Sequence, residues 1–269
     1  MDGLMYACVS KNLANGIGTF WFPKFSELGF AGNTTFHEHP PLVFGIQAMF
    51  FKILGNSIYV ERLYSFMTAC ITAYLITRLW KLLTNDEQKV QELIWLPVLF
   101  WIIIPVSFWS YQNNVQENTM GIFTLLAVYY SLKGLYSTQG SFFYLLFSGF
   151  FIFLASFSKG VPGLFPIAVI GLYWLISRNI PFSKMLLYTA ILIFTPVVIY
   201  LLLLINSEAF ESLSIYVTKR LLGRIESAPT VDYRFYIVQR LFMELLPVLA
   251  ITFIMLIIYK LKSIKKKFK

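Results

Sequence analysis

The chain has 269 residues, 58% of them hydrophobic and only 13% charged, with a mean hydropathy of +0.68. Soluble domains are near half apolar and a quarter charged, so a water-soluble fold could not hide this much apolar surface. The net charge of +9 does not point to nucleic acid: six of the 22 basic residues fall in the last ten positions, where they read as a cytoplasmic tail against anionic lipid.

The chain opens with Asp2-Gly3-Leu4-Met5-Tyr6-Ala7 and lacks the basic and apolar regions of a signal peptide, so an amino-terminal span is expected to be missing. Apolar positions Leu4, Cys8 and Leu13, with Tyr6 and Val9, predict a short amphipathic helix on the membrane surface, ended by Gly16 and Gly18. Asp2 at its start reads either as a helix cap or as a functional carboxylate. Next comes Phe36-His37-Glu38-His39-Pro40-Pro41-Leu42. Residues before proline are pushed to extended geometry and prolines open helices, so Glu38 and His39 are expected in a rigid turn leading into a helix. Both histidines of the chain flank Glu38, which makes His37, Glu38 and His39 weak candidates for a divalent metal. The i, i+2 spacing is not a helical zinc motif, and no cofactor is otherwise expected.

Apolar runs near the roughly 20 residues that cross a hydrocarbon core predict spans at Val60–Leu79, Leu93–Phe108, Met120–Leu135, Phe142–Phe157, Val161–Ile176, Met185–Ile205 and Leu241–Tyr259. The organisation expected is one all-α membrane domain, 1–269, with an external loop at 1–59 bearing interfacial helices. Six spans over 60–205, a second external loop at 206–240, a last span at 241–259 and a basic cytoplasmic tail at 260–269 complete it. Segments 78–92, 133–141, 178–184 and 260–269 hold twelve Lys and Arg residues and are assigned to the cytoplasm, which puts 1–59 and 206–240 outside. Cys8 and Cys70 imply no disulfide framework.

Three further features lie on the predicted outer side. Ser158-Lys159-Gly160 sets a cation in a very short turn, where it either snorkels or holds a phosphate, and Gly160 would let a ligand approach the backbone closely. Glu117 reads as a helix-start carboxylate favoured by the helix dipole. Lys219, Arg220 and Arg224 would share one helical face directed at an anion, or else be scattered cations of a solvated loop.

These motifs, in order, resemble the protein mannosyltransferase and lipid A aminoarabinose transferase family. The resemblance rests on Asp2-Gly3-x-x-Tyr6-Ala7, Glu38-His39-Pro40-Pro41-Leu42, Phe51-Lys52-Ile53-Leu54-Gly55 with Glu61-Arg62-Leu63, Ser158-Lys159-Gly160, and Tyr233, Tyr236 and Leu246-Pro247. It implies a C-type glycosyltransferase fold, a polytopic bundle that takes sugar from a polyprenyl-phosphate donor and transfers it to a lipid or protein acceptor outside the cytoplasm. Membrane lipids are the other partners expected, and the bacterial inner membrane is the expected location. By the same resemblance Asp2 and Glu38 are the catalytic carboxylates. Tyr6, His39, Lys159, Lys219, Arg220, Arg224 and Tyr233 are assigned to substrate. His39 stands where relatives often carry lysine, and histidine is mostly neutral near pH 7. Relatives usually begin with a span before the acidic loop and continue past residue 269, so a fragment is expected. The competing reading is a non-catalytic membrane protein, a transporter of lipid-linked glycans or an inactive partner subunit. A transporter should carry ionisable residues at mid-bilayer, whereas here charges gather at span ends and in the external segments.

Overall fold

The computed structural model describes residues 2–29, 34–137, 139–223 and 234–267, with the side chains of Asp2 and of residues 261–267 outside the description. Among the described residues the regular elements are all helices, with one isolated antiparallel bridge between Gly18 and Pro23 in the loop that follows the first. Two short helices come first: α1, Asp2–Ala14, and α2, Leu42–Leu54. Pro41 precedes α2, as the sequence led us to expect, and α1 ends where Asn15 bonds back to the Lys11 carbonyl and Gly16 turns at φ +81°. α1 packs through Tyr6 and Val9 against Phe44 of α2 and Phe36 of the loop before it, and through Ala7 against Phe51 of α2 and Val60 of the next helix. The buried face of α1 therefore differs from the expected one. Leu4 is 65% exposed, whereas Tyr6 and Val9, placed with it on a membrane face, are buried against protein.

The bundle follows. α3 spans Ile58–Leu83, α4 Gln88–Gln91, α5 Trp95–Ile103, α6 Pro105–Gln112, α7 Gln116–Tyr136 and α8 Ser141–Lys159. A 3-10 turn at Val161–Ala168 leads to α9, Val169–Ser177, then to α10, Phe182–Leu203, and α11, Ser207–Ile215. A π-helical stretch covers Tyr216–Leu222, and α12 covers Tyr236–Lys267. α3, α8, α10 and residues 236–260 of α12 are long and apolar enough to cross a bilayer, and α5 with α6 makes a fifth if a pair bent by 78° counts as one. Among the described residues, length and apolarity alone thus give four or five spans, where seven were expected. α7, over the expected third span, is 21 residues long but less apolar, with Thr119, Thr124 and Ser131 buried along it.

Two expected spans are broken for a legible reason. Pro105 interrupts the run Leu93–Phe108, and Ile104 before it is extended at ψ 118°. Pro162, Gly163 and Pro166 force 3-10 geometry on the start of the run at 161–176, where Gly163 lies against the Ala155 backbone; a Cβ there would come within 2.4 Å of it. The last span also differs. It begins at Tyr236, continues through Lys267, and pairs Arg240 with Glu244 at 2.7 Å, so most of the basic tail is helical backbone.

α7 and α8 form the centre. Ser148 Oγ bonds the Ala127 carbonyl at 2.8 Å and lies 2.8 Å from Ser131 Oγ. Gly149 lets α10 approach so closely that a Cβ would stand 2.5 Å from Thr195 Cβ, the small-residue contact that membrane helices use. Leu145, Ile152, Ile170 and Leu192 fill the core beside it.

Candidate functional site

The functional side chains gather at one end of the bundle, and helix length explains part of this. α7 and α8 are antiparallel, 21 and 19 residues long, and joined by a short turn, so the first turn of α7 meets the last turn of α8. Glu117 and Lys159 form an ion pair there. Each also suits its helix end, an acid at the positive terminus and a base at the negative one. The start of α1 packs onto the same end. Gly3 abuts Asn113 and Asn114, where a Cβ would overlap the Asn113 carbonyl. That contact sets the backbone of Asp2 beside the turn that carries Glu117.

The loop between α1 and α2 folds over this end. Asn12 Nδ2 bonds the Phe25 carbonyl at 2.6 Å, Phe36 N–H bonds the Pro23 carbonyl at 2.7 Å, and the Phe20 ring sits on Gly45. The turn 37–41 is thereby held against α11. His39 Nε2 lies 3.0 Å from the Tyr6 hydroxyl. His37 faces the other way: its Nδ1 is 3.4 Å from Ser212 Oγ. Ser212 already donates its one hydroxyl proton to the Trp21 carbonyl at 2.6 Å, so His37 donates from Nδ1 and its Nε2 carries the free lone pair. Burial, with the Lys219 charge added, lowers the His37 imidazole to about 4, which keeps it neutral at pH 7. The two histidines thus engage different partners. No group of three His, Cys, Asp or Glu able to hold a metal occurs among the described residues.

Glu38 pairs with Arg220 from the π-helical stretch. Both line a polar cavity of about 420 Å³, together with Phe22, Thr34, Thr35, His37, Glu211 and Lys219. Two polar atoms of its lining residues, His37 Nε2 and Arg220 Nε, are buried without a hydrogen-bond partner. An unsatisfied guanidinium N–H is costly to leave in place and marks a site where an acceptor gains most. On the other side of the same segment lies an apolar groove, also about 420 Å³, walled by Pro40, Gly160, Leu164, Tyr200, Leu204, Phe210, Leu213, Tyr216, Val217 and Leu221. The stretch 210–221 therefore separates the two spaces. Glu211, Ile215, Lys219 and Arg220 face the polar cavity, while Leu213, Val217 and Leu221 face the groove. A π-helical turn of this kind is common at functional sites.

Of the residues predicted from sequence, Glu38, Lys219 and Arg220 share the cavity, Tyr6 and His39 bond each other, and Lys159 pairs with Glu117 next to Gly160, which walls the groove. The Asp2 side chain, Arg224 and Tyr233 fall outside the described residues. Close approach to Gly160 is observed, at φ +85°, but the neighbour is Tyr216, whose hydroxyl lies 3.5 Å from the Lys159 carbonyl. Sequence reasoning missed Glu211, Ser212 and Tyr216. For Ser212 and Tyr216 the signal was a polar stripe, since Ser212, Tyr216, Lys219 and Arg220 recur at helical spacing; Glu211 lies outside it.

Residues 38–203 match the family profile described as dolichyl-phosphate-mannose-protein mannosyltransferase, more than half of the chain. The chain belongs to this family. Among solved structures it is similar to ArnT from Cupriavidus metallidurans bound to undecaprenyl phosphate, with a TM-score of 0.68 at 15% identity over 92% of this chain and 44% of that one. The apo state of the same ArnT gives 0.66, 14%, 91% and 43%. At such identity the likeness establishes the fold, an integral membrane bundle of the C-type glycosyltransferase kind. The mannosyltransferase-family chain described here spans under half the length of ArnT. A search of curated proteins returns no significant match.

Proposed function

We propose that this protein is a membrane glycosyltransferase that moves a sugar from a polyprenyl-phosphate donor to a lipid or protein acceptor on the non-cytoplasmic face, in the bacterial inner membrane. The observation that carries the reading is the buried, unpartnered Nε of Arg220, a residue that lines the polar cavity on a helical stretch whose other side walls an apolar groove. A polyprenyl-phosphate sugar has three chemically distinct parts: an apolar chain, an anionic phosphate and a polar ring. The groove suits the chain, Arg220 and Lys159 suit the phosphate, and the cavity suits the sugar. The ArnT structure with undecaprenyl phosphate supports a lipid phosphate of this class.

The chemistry follows from charge development. The bond from sugar C1 to the donor phosphate oxygen breaks while a bond from C1 to the acceptor oxygen forms, through an oxocarbenium-like state with inversion. The electron pair leaves with the phosphate, where Arg220, Lys159, Lys219 and His39 stabilise it; Arg suits this because its planar fork offers several N–H donors at once. Asp2 accepts the acceptor's proton. Glu38 holds Arg220 in place, and Arg224, Tyr6 and Tyr233 complete the substrate contacts. The test is transfer of radiolabelled sugar from polyprenyl phosphate in vesicles reconstituted with this chain. Asp2→Asn should abolish transfer with insertion intact, and undiminished turnover would refute the assignment.

A further inference from the structure

Arg78 and Lys133 gather at the opposite end of the bundle. Arg78 Nη2 lies 3.5 Å from the Tyr129 hydroxyl, and Lys133 Nζ lies 5.2 Å from the centre of the Tyr129 ring and 5.4 Å from that of Tyr144. Two cations from α3 and α7 therefore converge on one phenol, with a second ring from α8 beside them. The ion pairs among the described residues, Lys159–Glu117, Arg220–Glu38 and Arg240–Glu244, all lie elsewhere. Like charges brought together without a carboxylate repel, and an anion between them relieves the repulsion.

Where this cluster sits decides the anion. Lys133 is sixteen residues along α7 from Glu117, about 24 Å of helix, so it lies toward the opposite end of the bundle from the Glu117–Lys159 pair. Arg178 over Trp174 at 3.9 Å and Lys184 over Tyr188 at 5.3 Å lie at the same end, an interfacial belt of aromatic rings and cations. Those two are single cations on single rings. Arg78 and Lys133 alone among the four share one. Toward mid-membrane, exposed apolar side chains continue from the cluster: Tyr74 and Ile71 lie on α3 one and two turns from Arg78, and Phe147 lies on α8 one turn from Tyr144. A ligand with a phosphate at the cations and acyl chains along these lanes fits the whole feature.

We propose that Arg78 and Lys133, gathered on Tyr129, bind the headgroup phosphate of an anionic phospholipid at the membrane face opposite the sugar-transfer site. The cations supply the charge, and the Tyr129 and Tyr144 rings fix them at one depth. The proposal does not depend on the chain being catalytic. Each cation near a charged membrane surface accounts for roughly a fivefold change in lipid affinity.

The experiment reconstitutes the chain in nanodiscs of phosphatidylcholine with or without phosphatidylglycerol, then counts retained lipid by native mass spectrometry and records the unfolding temperature. The wild-type chain and Lys89→Gln, an exposed cation outside the cluster, should retain phosphatidylglycerol and gain thermal stability from it. Arg78→Gln/Lys133→Gln should lose both effects while unfolding normally in pure phosphatidylcholine. Equal retention by the wild type and the double variant would overturn the proposal, as would equal stabilisation by inorganic phosphate. Arg78→Gln alone leaves α7 untouched and should lower retention about fivefold; unchanged retention in that variant counts against the site even if the double variant folds poorly.

Discussion

Gly160 is the position where sequence, backbone and site meet most tightly, and Gly160→Ala gives a worked prediction. Gly160 sits at φ +85° and ψ −144°, a region reached almost only by glycine, so any Cβ costs about 1–3 kcal/mol in backbone strain. The new Cβ would also stand 1.9 Å from Tyr216 Oη and 2.9 Å from its Cζ, so the ring must leave. Displacing it breaks the contact with the Lys159 carbonyl and opens the groove wall, adding about 1 kcal/mol. A total of roughly 2–4 kcal/mol is a large share of a stability of about 5–15 kcal/mol. At about 2–4 °C per kcal/mol, the unfolding temperature in detergent should fall by roughly 5–15 °C. Tyr216→Ala removes the obstructing ring, so Gly160→Ala on that background should cost only the strain. The four proteins form a double-mutant cycle whose coupling isolates the steric term. Equal cost of Gly160→Ala on both backgrounds would refute the contact, and a neutral Gly160→Ala would refute the strain as well.

Three other outcomes follow from the geometry. Lys159→Ala should weaken polyprenyl-phosphate binding by about tenfold or more, as expected for losing a charge-assisted contact, and Glu117→Gln should weaken it less, because Glu117 only orients the lysine; equilibrium binding of labelled lipid checks this, and a larger loss for Glu117→Gln would reverse the roles. Gly149→Ala should destabilise by about 1–3 kcal/mol through overpacking against Thr195, read as a lowered unfolding temperature, and no change would argue against the close α8–α10 approach. His37 is held neutral down to about pH 4 in the fold against 6.5 ordinarily, so the unfolded chain binds its proton first; stability should be level above pH 6.5 and decline from there toward pH 4. The part due to His37, on the order of 1–2 kcal/mol once solvent screening is allowed for, should be absent from the unfolding profile of His37→Gln.

Much of the bundle was legible because hydropathy acts locally. The runs 120–135 and 142–157 lie inside α7 and α8, the run 185–205 follows α10 as far as Leu203, and the bend at Ile104–Pro105 had its proline in plain view. The face of α1 was not legible. A surface helix and a helix buried against protein share one period, and only the partner α2, with Phe44 facing Tyr6 and Val9, decides which stripe is covered. The Glu117–Lys159 pair was recoverable in principle from the matched lengths of α7 and α8. Glu38–Arg220 was not, since nothing local in either segment names the other.

The arrangement of charge around residues 210–221 gives a reason for this particular folding at the site. Lys159 and Arg220, the cations assigned to the lipid phosphate in the proposed function, each have a carboxylate partner, Glu117 and Glu38. Unpaired cations at a low-dielectric membrane edge would be costly and mobile, whereas paired ones are held in position. Pairing does not use up Arg220: one Nη2 contact to Glu38 leaves its Nε–H without an acceptor in a residue that lines the polar cavity. A phosphate arriving there gains an N–H already desolvated and already oriented, so little of its binding energy goes into reorganisation. On the proposed function Glu38 therefore acts on the phosphate through Arg220. On this reasoning Glu38→Gln loosens the guanidinium and should weaken donor binding even though it removes a negative charge from beside the phosphate. A tightening of donor binding in Glu38→Gln would show instead that the carboxylate only competes with the ligand.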